Sequence, residues 1–250
     1  MDKNRVLAVI PARYSSTRFP GKPLVTIAGK PMVAHVVERA CEAGCFDEVL
    51  VATDDERIAR AAAAAGARPV MTGACRSGTD RVAEAVRTEP ATVVLNVQGD
   101  EPALPPANLR LLAEFLTSHP DIPIATLSLP GTPDDLDNPN IVKVVCDLEG
   151  RALYFSRAPI PYPRAPIKGT VRRHVGLYGF QRQALLDFAS WPETDLERIE
   201  GLEQLRALAH GLTLRVLRAA ADSVAVDVPD DIPRAEAAIA ALSHEAGGAR

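Results

Sequence analysis

Apolar positions along the chain fall into two rhythms. Residues 6–10 (VLAVI) form a short unbroken apolar run, the mark of a strand buried on both faces. Residues 31–43 (PMVAHVVERACEA) carry apolar positions at helical spacing, open on Pro31 and end at Gly44. A second strand is predicted at 48–52. The helix after it would be capped by Thr53 or Asp54 and closed by Gly66. A third strand at 69–72, a helix at 77–87 and a buried strand at 92–97 (TVVLNV) follow. The first hundred residues thus predict β-α-β-α-β-α-β, a parallel sheet with helices on both faces.

Beyond residue 120 the rhythm changes. Segments 122–129 and 140–147 alternate, and 152–155 follows a Glu149-Gly150 turn, which reads as a hairpin in an antiparallel part of a mixed sheet. A Pro-rich stretch over 157–169 predicts a surface loop. Strands are expected at 175–180, 214–217 and 223–226, and helices at 195–209 and 231–242.

Composition narrows the class. The chain has 250 residues, 47% hydrophobic and 24% charged, enough for a real core in one α/β domain. A net charge of −4 and 4% aromatic residues argue against a nucleic-acid partner. Cys41, Cys45, Cys75 and Cys146 form no CxxC pair, so reduced thiols are expected rather than a metal cluster. No apolar stretch reaches spanning length, and Met1 to Arg5 leads directly into the first strand, so a cytoplasmic protein without membrane insertion is expected.

Candidate chemistry gathers where parallel sheets bind ligands, beyond the carboxyl ends of the strands. The loop "PARYSSTRFPGKPL" places Arg13, Arg18 and Lys22 after the first strand. It has neither P-loop nor dinucleotide glycine spacing; it is either a solvated basic turn or a cradle for an anion. Asp100, in "NVQGDEP", is either a ligand for a hard cation such as Mg2+ or the cap of the next helix. Asp227, in "VDVPDD", poses the same choice, with Asp230 and Asp231 better placed to cap. Two such carboxylates facing a basic loop favour a metal-triphosphate site. His174 has no second His at ligand spacing, so no metal is expected there.

Eight motifs in order ("IPARYSSTRFPGKPL", "SGTDR", "NVQGDEP", "NPNIVKVV", "YFSRAPIP", "RHVGLYGF", "IEGLEQLRAL" and "VDVPDD") closely resemble the bacterial 3-deoxy-manno-octulosonate (Kdo) cytidylyltransferases, from residue 6 to about 240. The resemblance implies a three-layer α/β/α fold of the nucleotide-diphospho-sugar transferase type (Rossmann-like). Its sheet would be mostly parallel and mixed, with an antiparallel dimerisation subregion. The single domain would divide into a nucleotide-binding half (about 1–120), a sugar-binding and dimerisation part (about 121–215) and a closing metal-ligand strand and helix (about 216–250). It implies transfer of CMP from CTP to Kdo for lipopolysaccharide biosynthesis, with Mg2+, in a homodimer; the apolar strands around 138–155, outside the nucleotide half, are the expected contact.

Residue by residue, the resemblance gives Arg13 and Lys22 to the triphosphate and Asp100 and Asp227 to Mg2+. It gives Ser77, Gly78 and Thr79, with Arg81 nearby, to the cytidine-side loop. Gln98, Arg157, His174, Tyr178, Glu203 and Gln204 would surround the acid sugar. Arg18 would also serve anions. The segment "GACR" (73–76) is shorter than the family pattern, and Arg76 is a candidate for a substituted contact. Alternatives are a cytidylyltransferase for 8-amino-Kdo or sialic acid and, from another class, a non-catalytic nucleotide-binding regulator.

Overall fold

The computed structural model describes residues 5–15, 19–164 and 171–248. Strand β1 (Val6–Ala12) sends Val6, Ala8 and Ile10 into one apolar layer and Leu7 and Val9 into the other. A strand buried on both sides needs a helix layer on each face. After it come a tight turn at Lys22–Leu24 and a small hairpin, β2 (Thr26–Ile27) with β3 (Lys30–Pro31). Helix α1 (Met32–Ala43) follows Pro31 and ends at Gly44, whose φ of 64° suits a residue without a side chain. The alternation continues through β4 (Glu48–Thr53), α2 (Glu56–Ala64), β5 (Arg68–Met71), α3 (Gly78–Ala85) and β6 (Val93–Asn96). Helix α4 (Pro106–Ser118), β7 (Ile124–Gly131) and a short α5 (Pro133–Asp137) lead to the hairpin of β8 (Lys143–Cys146) and β9 (Ala152–Ser156). The chain ends with β10 (Val171–Gln181), α6 (Arg182–Ser190), α7 (Asp195–Glu200), α8 (Gln204–Ala209), β11 (Leu214–Arg218) and α9 (Ile232–Gly248).

Among the described residues the main sheet has nine strands, with seven in the order β11-β7-β10-β6-β1-β4-β5. Helices α1, α2 and α4 pack on one face through Val36, Ile58 and Leu112; α3, α6 and α8 pack on the other through Val82, Leu185 and Leu205. Each of these fully buried side chains contributes about 1.5–3 kcal/mol. The result is the expected three-layer α/β/α arrangement.

Strand β10 is antiparallel to its neighbours and longer than β6. Its residues 178–181 pair with β6, whereas Arg173 pairs with Lys143 of β8. The first half of β10 therefore overhangs the carboxyl end of β6, and the β8–β9 hairpin is built on the overhang. This raises a wall directly above the loops that follow the parallel strands.

The structure corrects four sequence expectations. Helices α4 and α6 are absent from the predicted order, although Leu109, Leu112 and Leu116 carry helical spacing. The helix expected over 195–209 is two helices, because Gly201 adopts φ 63° and turns the chain. Neither Thr53 nor Asp54 caps α2; the Asp55 carboxylate does, accepting the Arg57 N–H at 2.8 Å. The strand expected at 223–226 is an extended crossing. Asn108 pins its start by accepting the Ala220 N–H at 2.8 Å, and Val226 N–H donates to the Asp100 carbonyl at 2.9 Å. The crossing spans the carboxyl end of the sheet, from the β11 edge to a small core formed with Ile27, Met32 and Ala235.

Candidate active site

Two adjoining cavities open at the carboxyl end of the sheet. The first, about 230 Å³, has Arg13, Lys22, Ser77, Arg81, Asp100 and Asp227 among its lining residues. The second, about 560 Å³, is lined by Gln98, Arg157, His174, Tyr178, Glu203 and Gln204 together with the turn before β8 and further residues of the β10 overhang. Gly78, Gln98 and Asp227 line both.

In the first cavity, Gly21 closes the loop after β1. Its φ is 72°, its N–H donates to the Tyr14 carbonyl at 2.9 Å, and a Cβ there would meet the Tyr14 ring at 3.2 Å. Lys22 follows, with its ammonium 2.8 Å from Asp100 Oδ2 and 3.3 Å from Asp227 Oδ1. Arg13 is exposed beside it, whereas Arg18 lies outside the described residues. The capping alternative for Asp100 does not hold, because α4 begins behind Pro105 with no side-chain cap. Nor is Asp227 a cap. Asp231 accepts the N–H groups of Asp227 and Val228 at 2.8 and 3.1 Å, and the Asp227 carboxylate faces Lys22. Gly99 is required for this approach: a Cβ would stand 2.7 Å from the Pro11 carbonyl oxygen. Beside Asp100, burial pushes the Glu101 carboxyl up to about 7, and the Asp100 charge adds to the effect.

The two carboxylates thus converge on one cation. A pair of oxygen donors with substrate phosphates as further ligands is the set that suits Mg2+. Among the described residues, no three His, Cys, Asp or Glu side chains form a metal cage of their own.

The N-terminus of α3 faces the same space. Ser77 caps it, accepting the Asp80 N–H at 3.1 Å. Arg81, 4% exposed, reaches across to Asp54 at 2.7 Å and to the Thr72 hydroxyl. Glu84 organises the short 73–76 loop, accepting the Gly73 N–H at 2.8 Å and the Cys75 thiol at 3.1 Å. Arg76 is turned away, to Asp80 and the Ala189 carbonyl, and is not among the residues lining the first cavity. The Thr79 hydroxyl also points elsewhere. It donates to Glu203 Oε2 at 2.6 Å while accepting Asn96 Nδ2 at 3.1 Å, and so belongs to the second cavity.

The second cavity takes its rings from β10. The β10–β7 register breaks between Val175 and Tyr178, and the bulge sets the His174 and Tyr178 rings 5.4 Å apart. Thr126 holds the bulge through contacts to the Leu177 carbonyl at 2.8 Å and the Val175 carbonyl at 3.2 Å. With the hydroxyl proton given to a carbonyl, the 2.9 Å contact to His174 Nε2 is a donation by the imidazole. Burial pushes the His174 pKa down to about 3, so the ring is neutral and its Nδ1 is an acceptor. Arg157 is anchored by Nε to the Glu200 carbonyl at 2.8 Å and by Nη1 to the Pro139 carbonyl at 3.0 Å. Asn140 and Arg173 complete the wall.

Sequence reasoning gave Thr126, Asn140 and Arg173 no role, and placed Asp54 at a strand end but read it only as a possible helix cap. Thr126 and Arg173 carried no signal, since their roles depend on the bulge and the overhang.

The chain resembles known proteins over nearly its whole length. Residues 7–215 match the family model described as cytidylyltransferase. The 3-deoxy-manno-octulosonate cytidylyltransferase of Anaeromyxobacter sp. (strain Fw109-5) is 49% identical, covering 96% of this chain and 99% of the relative. That of Myxococcus xanthus is 49% identical over 95% and 97%. A solved structure of CMP:2-keto-3-deoxy-manno-octonic acid synthetase complexed with CTP superposes with a TM-score of 0.91 at 41% identity, covering 96% of this chain and all of the other. On this evidence the chain belongs to the cytidylyltransferase family.

Proposed function

We propose that the protein transfers CMP from CTP to the anomeric hydroxyl of Kdo and releases pyrophosphate. The seam between the cavities carries the reading. Gly78, Gln98 and Asp227 line both, so a nucleotide in the first and an acid sugar in the second meet at a shared wall. The near-full-length likeness to 3-deoxy-manno-octulosonate cytidylyltransferases supports the choice of substrates.

In this reading Arg13, Lys22 and the N-terminus of α3 offset the charge of the phosphates. Asp100 and Asp227 would hold Mg2+, which when bound neutralises phosphate charge during displacement. Lys22, bridging both carboxylates, keeps them converged. Arg157, its fork fixed by two carbonyls, receives the sugar carboxylate. Neutral His174 and the Thr79-held Glu203 accept hydrogen bonds from sugar hydroxyls and orient the attacking oxygen toward the α-phosphorus. The displacement needs no protein nucleophile. The reading extends to a cytoplasmic homodimer serving lipopolysaccharide synthesis. Leu148 and Leu153, exposed on the β8–β9 hairpin, support a contact there. Among the described residues no helix is long and apolar enough to cross a membrane.

The test follows pyrophosphate release with CTP, Mg2+ and a panel of acid sugars. Release with Kdo is expected. Release with sialic acid but not Kdo would overturn the substrate, and CTP binding without release on any sugar would favour a regulator.

A further inference from the structure

Lys143 is 0% exposed, a rare state for a lysine. Its ammonium meets three backbone carbonyls: Asn138 at 3.0 Å, Ile141 at 2.9 Å and Arg157 at 2.6 Å. An ammonium has three N–H donors, so its hydrogen-bonding capacity is filled by one turn and one strand end. Burying this charge is costly, and desolvation lowers its pKa. A methionine of similar length would fill the same space without that cost. What the ammonium adds is the fixed position of three carbonyls belonging to two separate segments.

Those segments form one wall of the second cavity. Asn140, Ile141 and Val142 line it from the turn, and Arg157 lines it from the end of β9. Arg157 Nη1 reaches back to the Pro139 carbonyl at 3.0 Å, so the turn and the guanidinium hold each other while Lys143 holds both from behind. The Glu200 carboxylate braces the same corner through the Ser156 hydroxyl at 2.6 Å and the Arg157 N–H at 3.0 Å. Lys143 is not among the residues lining either cavity.

We infer that Lys143 is a positioning residue for the acid-sugar end of the site, setting the Arg157 guanidinium and the 138–142 turn at the spacing the sugar carboxylate requires. The inference rests on the proposed transfer to Kdo. Loss of a well-placed charge-assisted hydrogen bond costs roughly 10- to 100-fold in binding. In Lys143→Met, the KM for Kdo should rise at least about ten-fold, while CTP affinity and kcat at saturating sugar stay within about two-fold of wild type. A residue that served only stability would move both substrates together or neither. If Lys143→Met does not fold, the same split is read on Lys143→Arg, which keeps a buried cation but cannot aim three N–H groups at these carbonyls. An unchanged KM for Kdo, or an equal loss toward CTP and Kdo, overturns the assignment. The two possible failures are distinguishable: wild type silent on Kdo overturns the functional reading itself, whereas active wild type with an unsplit variant overturns the role of Lys143.

Discussion

The two cavities share a wall but are built on different principles. The first is made of loops that follow parallel strands, and its charges face an open space: Arg13 is exposed, and Lys22 bridges carboxylates with side-chain exposures of 30% and 48%. The second is walled by the β10 overhang, the turn before β8, the end of β9 and the 201–204 segment, and its polar groups are bound to one another before any ligand arrives: His174 to Thr126, Glu203 to Thr79, Arg157 to two carbonyls. A triphosphate is flexible, and it can be met by cations on the loops and a metal. A sugar acid presents fixed hydroxyls and a carboxylate, and recognising it calls for fixed partners.

Substitutions should respect this division. The largest effect is expected in the first cavity. Asp100→Ala removes one of two converging carboxylates and should lower kcat by about 10²–10³-fold or more, measured as pyrophosphate release with both substrates saturating. Near-normal turnover at limiting Mg2+ would remove Asp100 from the reaction. Next comes Arg157→Met, which should raise the KM for Kdo about 10- to 100-fold, the worth of a charge-assisted hydrogen bond, and leave CTP binding by calorimetry unchanged. Weakened CTP binding would dissolve the distinction between the cavities. Gly99→Ala acts through shape. Its Cβ would lie 2.7 Å from the Pro11 carbonyl, so the loop must shift, at a cost of about 1–3 kcal/mol in denaturant unfolding and with reduced turnover as Asp100 moves.

The last test probes the prebuilt character of the second cavity through pH. An unfolded chain protonates this imidazole below about pH 6.5, but in the folded protein burial holds the His174 pKa down to about 3. The unfolded state therefore binds the extra proton between these values, and stability falls as pH drops through that window, by at most about 1.4 kcal/mol per pH unit. His174→Phe should flatten the slope of unfolding free energy between pH 4 and 6. An unchanged slope would show that His174 is free to take up a proton.

Legibility in the sequence follows the same division. Parallel strands read as apolar runs, and the polar residues after them, Lys22 and Asp100 among them, stand out by position alone. The second cavity hides its logic. Lys143 occupies a polar position in an alternating strand and reads as solvent-facing, yet its side chain is buried against the 138–141 turn and the end of β9. His174 and Tyr178 share a face by the strand period of two, but only the bulge, which no periodicity announces, brings their rings to 5.4 Å. Family resemblance gathered these residues where residue-by-residue reading did not. The crossing that delivers Asp227 was also illegible as such: "SVAV" has strand composition, but it leaves the sheet edge and is tied by Val226 to the Asp100 carbonyl rather than paired along a strand.

The central claim is that the two cavities work as one site, joining nucleotide to acid sugar across their shared wall. Phosphorus NMR of the protein with CTP, Mg2+ and Kdo tests it most directly. The account predicts a single new phosphodiester, CMP-Kdo, appearing in equal amount with pyrophosphate. Pyrophosphate accompanied by free CMP, or no phosphodiester from folded protein that binds CTP, would contradict it.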